Sequence, residues 1–396
     1  MKDKLLVLGA GVLQMPIIKK AKELGIYTIA ADGDSKAPGL SLANEAVVVN
    51  IVDKELMLQV ARDKGVTGVI HPCSEVSMHV MGYINDMMGL SGISEEIARK
   101  ATNKALMRKA FEAGNASSPK SFETTTAVEA WNFYQSFTGN GILKPSRNSG
   151  SRGIAKIIKD MTYKEFAAAY AISMENSRDN SVLVEDFIEG PEFSIEVLIY
   201  NNEINILTIT DKKTTETPHF VELGHSQPTQ IPAEMQEIVK QTVREGVRAL
   251  KLNNCAAHAE VKIQDGRVYI MEIGARLGGD FITTDLTPLS TGIDMVAGAV
   301  SLALGYEPDL LPKHKAQGSC VRYVTPKSGR ITSIVKVHDV PVYVKEYEIY
   351  KQVGDIVNKV CSSLDRSGHV ITIGKDAKEA VNRAEDMVAR TIVTTE

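Results

Sequence analysis

Only four cysteines occur in 396 residues, Cys73, Cys255, Cys320 and Cys361, and no two share C-x-x-C spacing. That excludes a disulfide framework and a thiolate metal site, and predicts reduced thiols in a cytoplasmic protein. No run approaches the ~18 apolar residues a membrane helix requires, so no membrane partner is expected. MKDK leads straight into LLVLGAG, which is not the pattern of a signal peptide. Positive charge is not in excess: the formal net charge is −4, which argues against nucleic acid as a dedicated partner. No internal repeat and no low-complexity tract occurs, which excludes solenoids. What is present is the composition of a globular protein, 43% hydrophobic and 24% charged, at a length that asks for two or three domains.

The chain opens as a strand, a glycine turn, an amphipathic helix and a second strand, LLVLGAGVLQMPIIKKAKELGIYTIAADGD. This is a βαβ start. Gly9 and Gly11 match the first two glycines of a dinucleotide fingerprint, but Gln14 stands at the third, so a tight turn is the favoured reading over a nucleotide loop served by Asp32 or Asp34. After a further α/β pair, Cys73-Ser74-Glu75-Val76 falls at the C-terminal end of a strand, where ligands of open α/β sheets lie. Glu75 there faces a substrate amine or simply opens a helix.

Beyond residue 100 the pattern turns to helix and then to GILKPSRNSGSRGIAKI, two strands around a Ser/Gly/Arg loop. Such a loop can wrap phosphate oxygens with its N–H groups while Lys144 and Arg147 or Arg152 supply charge. SVLVEDFIEGPEFSIEVLIYNNEINILTIT is a strand, an acidic break and a hairpin turning at Asn201-Asn202. DKKTTETPHFVELGHSQPTQIP reads as a loop.

Residues 256–280, AAHAEVKIQDGRVYIMEIGARLGGD, form a second hairpin with one acid out of place in each arm, Glu260 and Glu272. A two-residue turn at Asp265-Gly266 would send the two carboxylates to opposite faces. A three-residue loop, Gln264-Asp265-Gly266, would pair Glu260 with Ile270 and His258 with Glu272, leaving the acids diagonal neighbours on one face. The three-residue loop is expected, because two unpaired carboxylates on an apolar hairpin are costly unless a cation neutralises them.

Four elements in order, Asn103-Lys104 before a helix, Lys144-Pro145 with S-G-S-R-G, E-D-F-I-E-G-x-E, and H-x-E…M-E-I-G-A-R-L-G-G-D, resemble the ATP-grasp superfamily of carboxylate–amine and carboxylate–thiol ligases. The resemblance spans nearly the whole chain and is greatest to the L-amino-acid ligase type, with a biotin-carboxylase-like C-terminal region at Ser367 to Gly374. It implies an α/β chain: a Rossmann-like parallel-sheet domain over 1–100, an α+β ATP-grasp domain over 101–310 with a mobile lid near 115–183, and a small β-rich C-terminal domain over 311–396. It implies that ATP is held by Lys104, Lys144, Ser149, Gly150, Ser151, Gly153, Glu185, Phe187, Ile188 and Glu192, with Glu185 to Ile188 against adenine and Glu192 on ribose. Glu260 and Glu272 would ligate Mg²⁺ or Mn²⁺. Arg276 and Lys144 would be catalytic, and Glu75, Glu222, His225, Arg276, Gly278 and Gly279 would meet substrate. Gly274 departs from the asparagine many members carry there, which leaves a second metal to water or phosphate oxygens.

The implied activity activates a carboxylate, an amino acid, as an acyl-phosphate and couples it to an amine, releasing ADP and phosphate. Partners are then small molecules, with a homodimer possible. Three rivals stand beside it: a bicarbonate-using carboxylase or purine-pathway enzyme of the same superfamily, a nucleotide-binding regulator without turnover, and an NAD(P)-dependent oxidoreductase built on Gly9-Ala10-Gly11.

Overall fold

The structure, a computed structural model, describes residues 3–147, 153–215 and 221–396. Glu45–Val48, Tyr27–Asp32, Lys4–Leu8 and Gly68–Ile70 make a four-stranded sheet in that order, and every pairing in it is parallel. The glycine turn after Lys4–Leu8 is closed by the chain itself. A Cβ on Gly9 (φ +91°) would lie 3.3 Å from the Gln14 side chain, and Asp32 Oδ2 accepts from the Ala10 N–H at 2.7 Å. The Gln14 side chain thus packs against the turn.

Residues 121–186 fold around their own sheet, ordered Ser121–Thr124, Val182–Asp186, Gly141–Pro145, Ala155–Ile157. Helices Ala127–Tyr134 and Tyr163–Glu175 cover it, and Tyr134, Leu143, Phe166 and Val184 form a separate core.

The remainder is organised on an eight-stranded sheet: Arg267–Gly274, Cys255–Gln264, Glu192–Tyr200, Glu203–Thr214, Glu222–Gln227, Gly318–Val324, Gly368–Gly374 and Val344–Ile349. The β-rich C-terminal segment therefore extends this sheet, with only Ile356–Val357, Gly329–Val335 and Ile392–Thr395 forming a small sheet apart. One face is apolar: Phe193, Ile195, Val197, Ala257, Ala259 and Val261 alternate inward and pack with Val239, Val243 and Val247 of helix Ala233–Leu250. Each such valine or isoleucine removed from water is worth about 1.5–3 kcal/mol. Period two then sends Glu192, Ser194, Glu196, His258, Glu260 and Lys262 to the other face.

Two expectations are corrected. The hairpin turn is the two-residue one: Gln264 pairs with Arg267, and Asp265 (φ 51°) and Gly266 (φ 74°) both take the left-handed conformation that a type I′ turn demands. The expected pairs Glu260–Ile270 and His258–Glu272 do not form. Instead Val261 pairs with Ile270, the register slips at Met271, and Glu260 pairs directly with Glu272. This β-bulge undoes the face reversal that the short turn would otherwise impose. Likewise residues 211–227 are not one loop. Strand Glu203–Thr214 runs through Lys212, and Glu222–Gln227 is a strand beside it. Their polar residues line the functional face, so the apolar alternation that marks a strand is missing.

Among the described residues no single helix is long and apolar enough to cross a membrane. All four cysteines are free thiols.

Candidate active site

The polar sheet face is built in rows by the strand register. Glu272, Glu260, Ser194 and Thr210 stand side by side across four strands. Lys262 pairs with Glu192 in the next row, and Lys212 with His225.

Each of the two facing carboxylates has its own lysine. Lys104, at the start of helix Lys104–Ala113, lies 3.2 Å from Glu272, and Lys212 lies 2.8 Å from Glu260. Lys212 is 3% exposed and also reaches Glu192 at 2.6 Å and Glu222 at 3.8 Å. Burial disfavours its ammonium, but Glu260, Glu192 and Glu222 outweigh that and hold it well above the ordinary lysine range. Lys212 in turn is the largest influence keeping Glu260 far below the usual carboxylate range. Burial opposes the Glu272 charge, and Lys104 overcomes it. Both acids are therefore ionised and open on one side, as a hard divalent cation requires. No cluster of three or more metal-ligating side chains exists among the described residues. Glu260 and Glu272 could give a cation two carboxylates, the small protein contribution that magnesium accepts when phosphate and water oxygens supply the rest.

His258 stands two residues before Glu260 on the same strand face and bonds Glu196 through Nδ1 at 2.6 Å. Burial alone would lower its pKa, but Glu196 and Glu260 raise it to about 9, so it is a cation at neutral pH. Gly278 allows this packing, since a Cβ there would come within 2.5 Å of the His258 ring. Gly279, by contrast, faces open space.

Glu75 and Arg276 join this cluster from outside the hairpin. Arg276 Nη2 is 3.7 Å from Glu75, and Arg276 Nε is buried with no hydrogen-bond partner among the described residues. Burial, reinforced by the adjacent Glu272 carboxylate, pushes Glu75 up to about 7. The strand-end position of Glu75 thus converges on the hairpin, a meeting the sequence pattern alone does not reveal.

The nucleotide residues divide. Glu185 is fully buried, and its carboxylate is taken by Lys144 at 2.6 Å and Arg108 at 2.5 Å. Burial would raise its pKa, but the two cations bring it down to about 2. The side chain of Glu185 is thereby committed inward and leaves its backbone for any ligand. Phe187 lies beside two cations, with Lys156 4.0 Å and Lys262 5.4 Å from its ring centroid, and its N–H donates to Asn140. Lys262 also donates to the Ile188 carbonyl at 3.3 Å. Burial lowers the Lys262 pKa, and Lys144, Lys212 and Lys156 add to that, which marks a cluster of cations suited to polyphosphate. Glu192 is on this wall, bound to Lys212. Gly153 (φ +75°) abuts Asn176 and its carbonyl accepts from Ser173, so it packs against helix Tyr163–Glu175. Ser149, Gly150 and Ser151 lie outside the described residues.

Glu222 and His225 sit farther along the sheet. His225 Nε2 is 3.6 Å from Asp280, and Asp280 receives two bonds from Arg366, at 2.9 and 2.8 Å. Sequence reasoning missed Arg108, Lys156, Lys212, Asp280 and Arg366. Only Lys212 carried a local signal, as a lysine two positions beyond Thr210 and four beyond Thr208 in the same alternation.

The ATP-grasp domain family matches residues 138–285, and the L-amino acid ligase C-terminal domain 2 family matches residues 322–396. The alanine–anticapsin ligase of Bacillus subtilis is 24% identical over 65% of the chain and 59% of its own length. An L-amino acid ligase from Bacillus licheniformis superposes with a TM-score of 0.84 at 20% identity, covering 100% of this chain and 99% of the other. A phosphoribosylglycinamide synthetase from Anaerococcus prevotii gives 0.82 at 25% identity, with both chains covered completely. The chain spans 62% and 59% of the length of two curated relatives it matches, and 14%, 17% and 23% of three others. The chain is thus similar to the ATP-grasp domain family over residues 138–285 and to the L-amino acid ligase C-terminal domain 2 family over residues 322–396.

Proposed function

We propose that the protein is an ATP-dependent ligase that joins the carboxylate of one amino acid to the amine of another. The observation that carries this reading is the facing pair Glu260–Glu272, with Lys104 on one side and the Glu75–Arg276 pair on the other.

A carboxylate and an amine do not condense at neutral pH, because oxide is a poor leaving group. In the proposed reaction the carboxylate oxygen attacks the γ-phosphorus of ATP and the bond to the β-phosphate oxygen breaks. ADP leaves and an acyl-phosphate remains. The amine nitrogen then attacks the acyl carbon, the bond to phosphate breaks, and the amine gives up a proton.

The first step brings two anions together, so positive charge must be in place beforehand. Lys144, Lys156, Lys212 and Lys262 supply it along the nucleotide wall. Mg²⁺ held by Glu260 and Glu272 would neutralise charge on the phosphates. Arg276 has the planar fork that grips a carboxylate with two parallel bonds, and its Nε has no partner among the described residues. Glu75, with its raised pKa, Glu222 and His225 are the candidate acceptors proposed for the amine proton.

Phosphate release with Mg²⁺-ATP over amino acids, singly and in pairs, tests this, with mass spectrometry of the products. Release that needs two amino acids, with a new peptide, supports the reading. Release driven by bicarbonate, or by one acid with a non-amino-acid amine, would move the protein to the carboxylase or purine-pathway branch. Nucleotide binding without turnover in any mixture would make it a regulator.

A further inference from the structure

Beyond Arg276 the sheet face carries a second set of buried polar groups, and the C-terminal segment supplies half of it. Arg366 crosses to Asp280 with two parallel bonds, donates Nε to the Ser363 carbonyl at 2.8 Å, and lies 3.8 Å above the Tyr323 ring. Its charge is matched and its orientation is held by three bonds and a ring. His225 pairs with Val321 in the neighbouring strand, and alternation puts Tyr323 on the same face. Tyr323 pairs with His369, whose ring is stacked 4.3 Å from Phe281.

His369 Nε2, 3.3 Å from Glu346, and two further groups in this set have no hydrogen bond among the described residues. Both ring nitrogens of His225 (1% exposed) and the hydroxyl of Tyr323 (4% exposed) have no hydrogen-bond partner among the described residues. An unsatisfied buried donor or acceptor costs about 1–3 kcal/mol, so a protein seldom keeps two together without use for them. Burial keeps both in their neutral forms. His225 then offers one donor and one acceptor, and Tyr323 one hydroxyl.

We propose that His225, Asp280, Tyr323 and Arg366 form a specificity site for an uncharged, hydrogen-bonding side chain, an amide or a hydroxyl, on one of the two joined substrates. The proposal rests on the ligase reading for its substrates and deepens it. A charged side chain would find Arg366 and Asp280 already paired with each other. An apolar side chain would leave His225 and Tyr323 unpaired. A flat neutral group satisfies both and lies against Phe281. Sites built to hydrogen-bond a substrate group reject the analogue that lacks it far more strongly than apolar pockets sort by size.

The test is titration calorimetry of the full chain with Mg²⁺-ADP, comparing glutamine with methionine, asparagine with leucine and threonine with valine, alongside lysine and glutamate. The expected result is at least one polar member binding about 100-fold tighter than its apolar counterpart. In a folded Tyr323→Phe variant that ratio falls at least about tenfold. An apolar or charged amino acid binding tightest, or a ratio unmoved in Tyr323→Phe, overturns the proposal. The readout is binding, so a missing peptide product counts against the ligase reading, while a missing preference counts against this site.

Discussion

Arg108 donates from Nη2 to the carbonyl of Met271 at 2.8 Å, and its Nε holds Glu185. Met271 is the bulged residue that lets Glu260 face Glu272. One buried guanidinium therefore ties the hairpin register to strand Val182–Asp186.

Arg108→Met is expected to lower stability by about 3–5 kcal/mol, since it leaves Glu185 buried with one partner fewer. The thermal midpoint should fall, and ATP turnover should fall in the fraction that still folds. A variant with wild-type stability would show that the pair is not structural.

Glu272→Gln and Glu260→Gln are each expected to keep the fold and lose about 10²–10³-fold in Mg²⁺-ATP turnover. The midpoint gain that Mg²⁺-ADP confers on the wild type should vanish in both. Full ADP release by either folded variant would remove these residues from the metal assignment.

Lys212→Met leaves Glu192, Glu222 and Glu260 without their shared cation. It should destabilise the metal-free protein, and added Mg²⁺ should restore more of the midpoint than it does in the wild type. Equal Mg²⁺ responses in the two proteins would speak against lysine and metal sharing one role.

Arg276→Lys keeps the charge and loses the planar fork. The expected effect is a rise in KM for the acid substrate of about 10–100-fold, with ATP affinity little changed, measured by initial rates of phosphate release.

Acid should act through Glu185. Burial would raise its pKa from 4.5, but Arg108 and Lys144 bring it down to about 2. A carboxylate with a lowered native pKa gives stability that is complete above its unfolded pKa and is lost as pH falls toward the native one. The contribution is on the order of 3 kcal/mol and disappears between about pH 5 and pH 2. Glu185→Gln should lower the midpoint at pH 7 and flatten its dependence across that window. An unchanged slope would place the acid sensitivity elsewhere.

The order of elements, and the acids of the hairpin, were legible because each leaves a local mark. Glu260 and Glu272 interrupt an apolar alternation, and Asn201-Asn202 and Asp265-Gly266 are turn pairs whose φ angles are all positive. The partners were not legible. Lys212 meets Glu260 across 48 residues, Arg108 meets Glu185 across 77, and Arg366 meets Asp280 across 86. No periodicity reaches that far.

The amino-acid sequence by itself determined that this chain alternates strands and helices, carries two acids on one hairpin and displays the arginine just after them. Whether those acids meet was decided only by tertiary structure. The short Asp-Gly turn sends them apart, and a bulge at Met271, bonded to Arg108 163 residues away, brings them back. A strand's register is local, but the contact that stabilises a bulge is not.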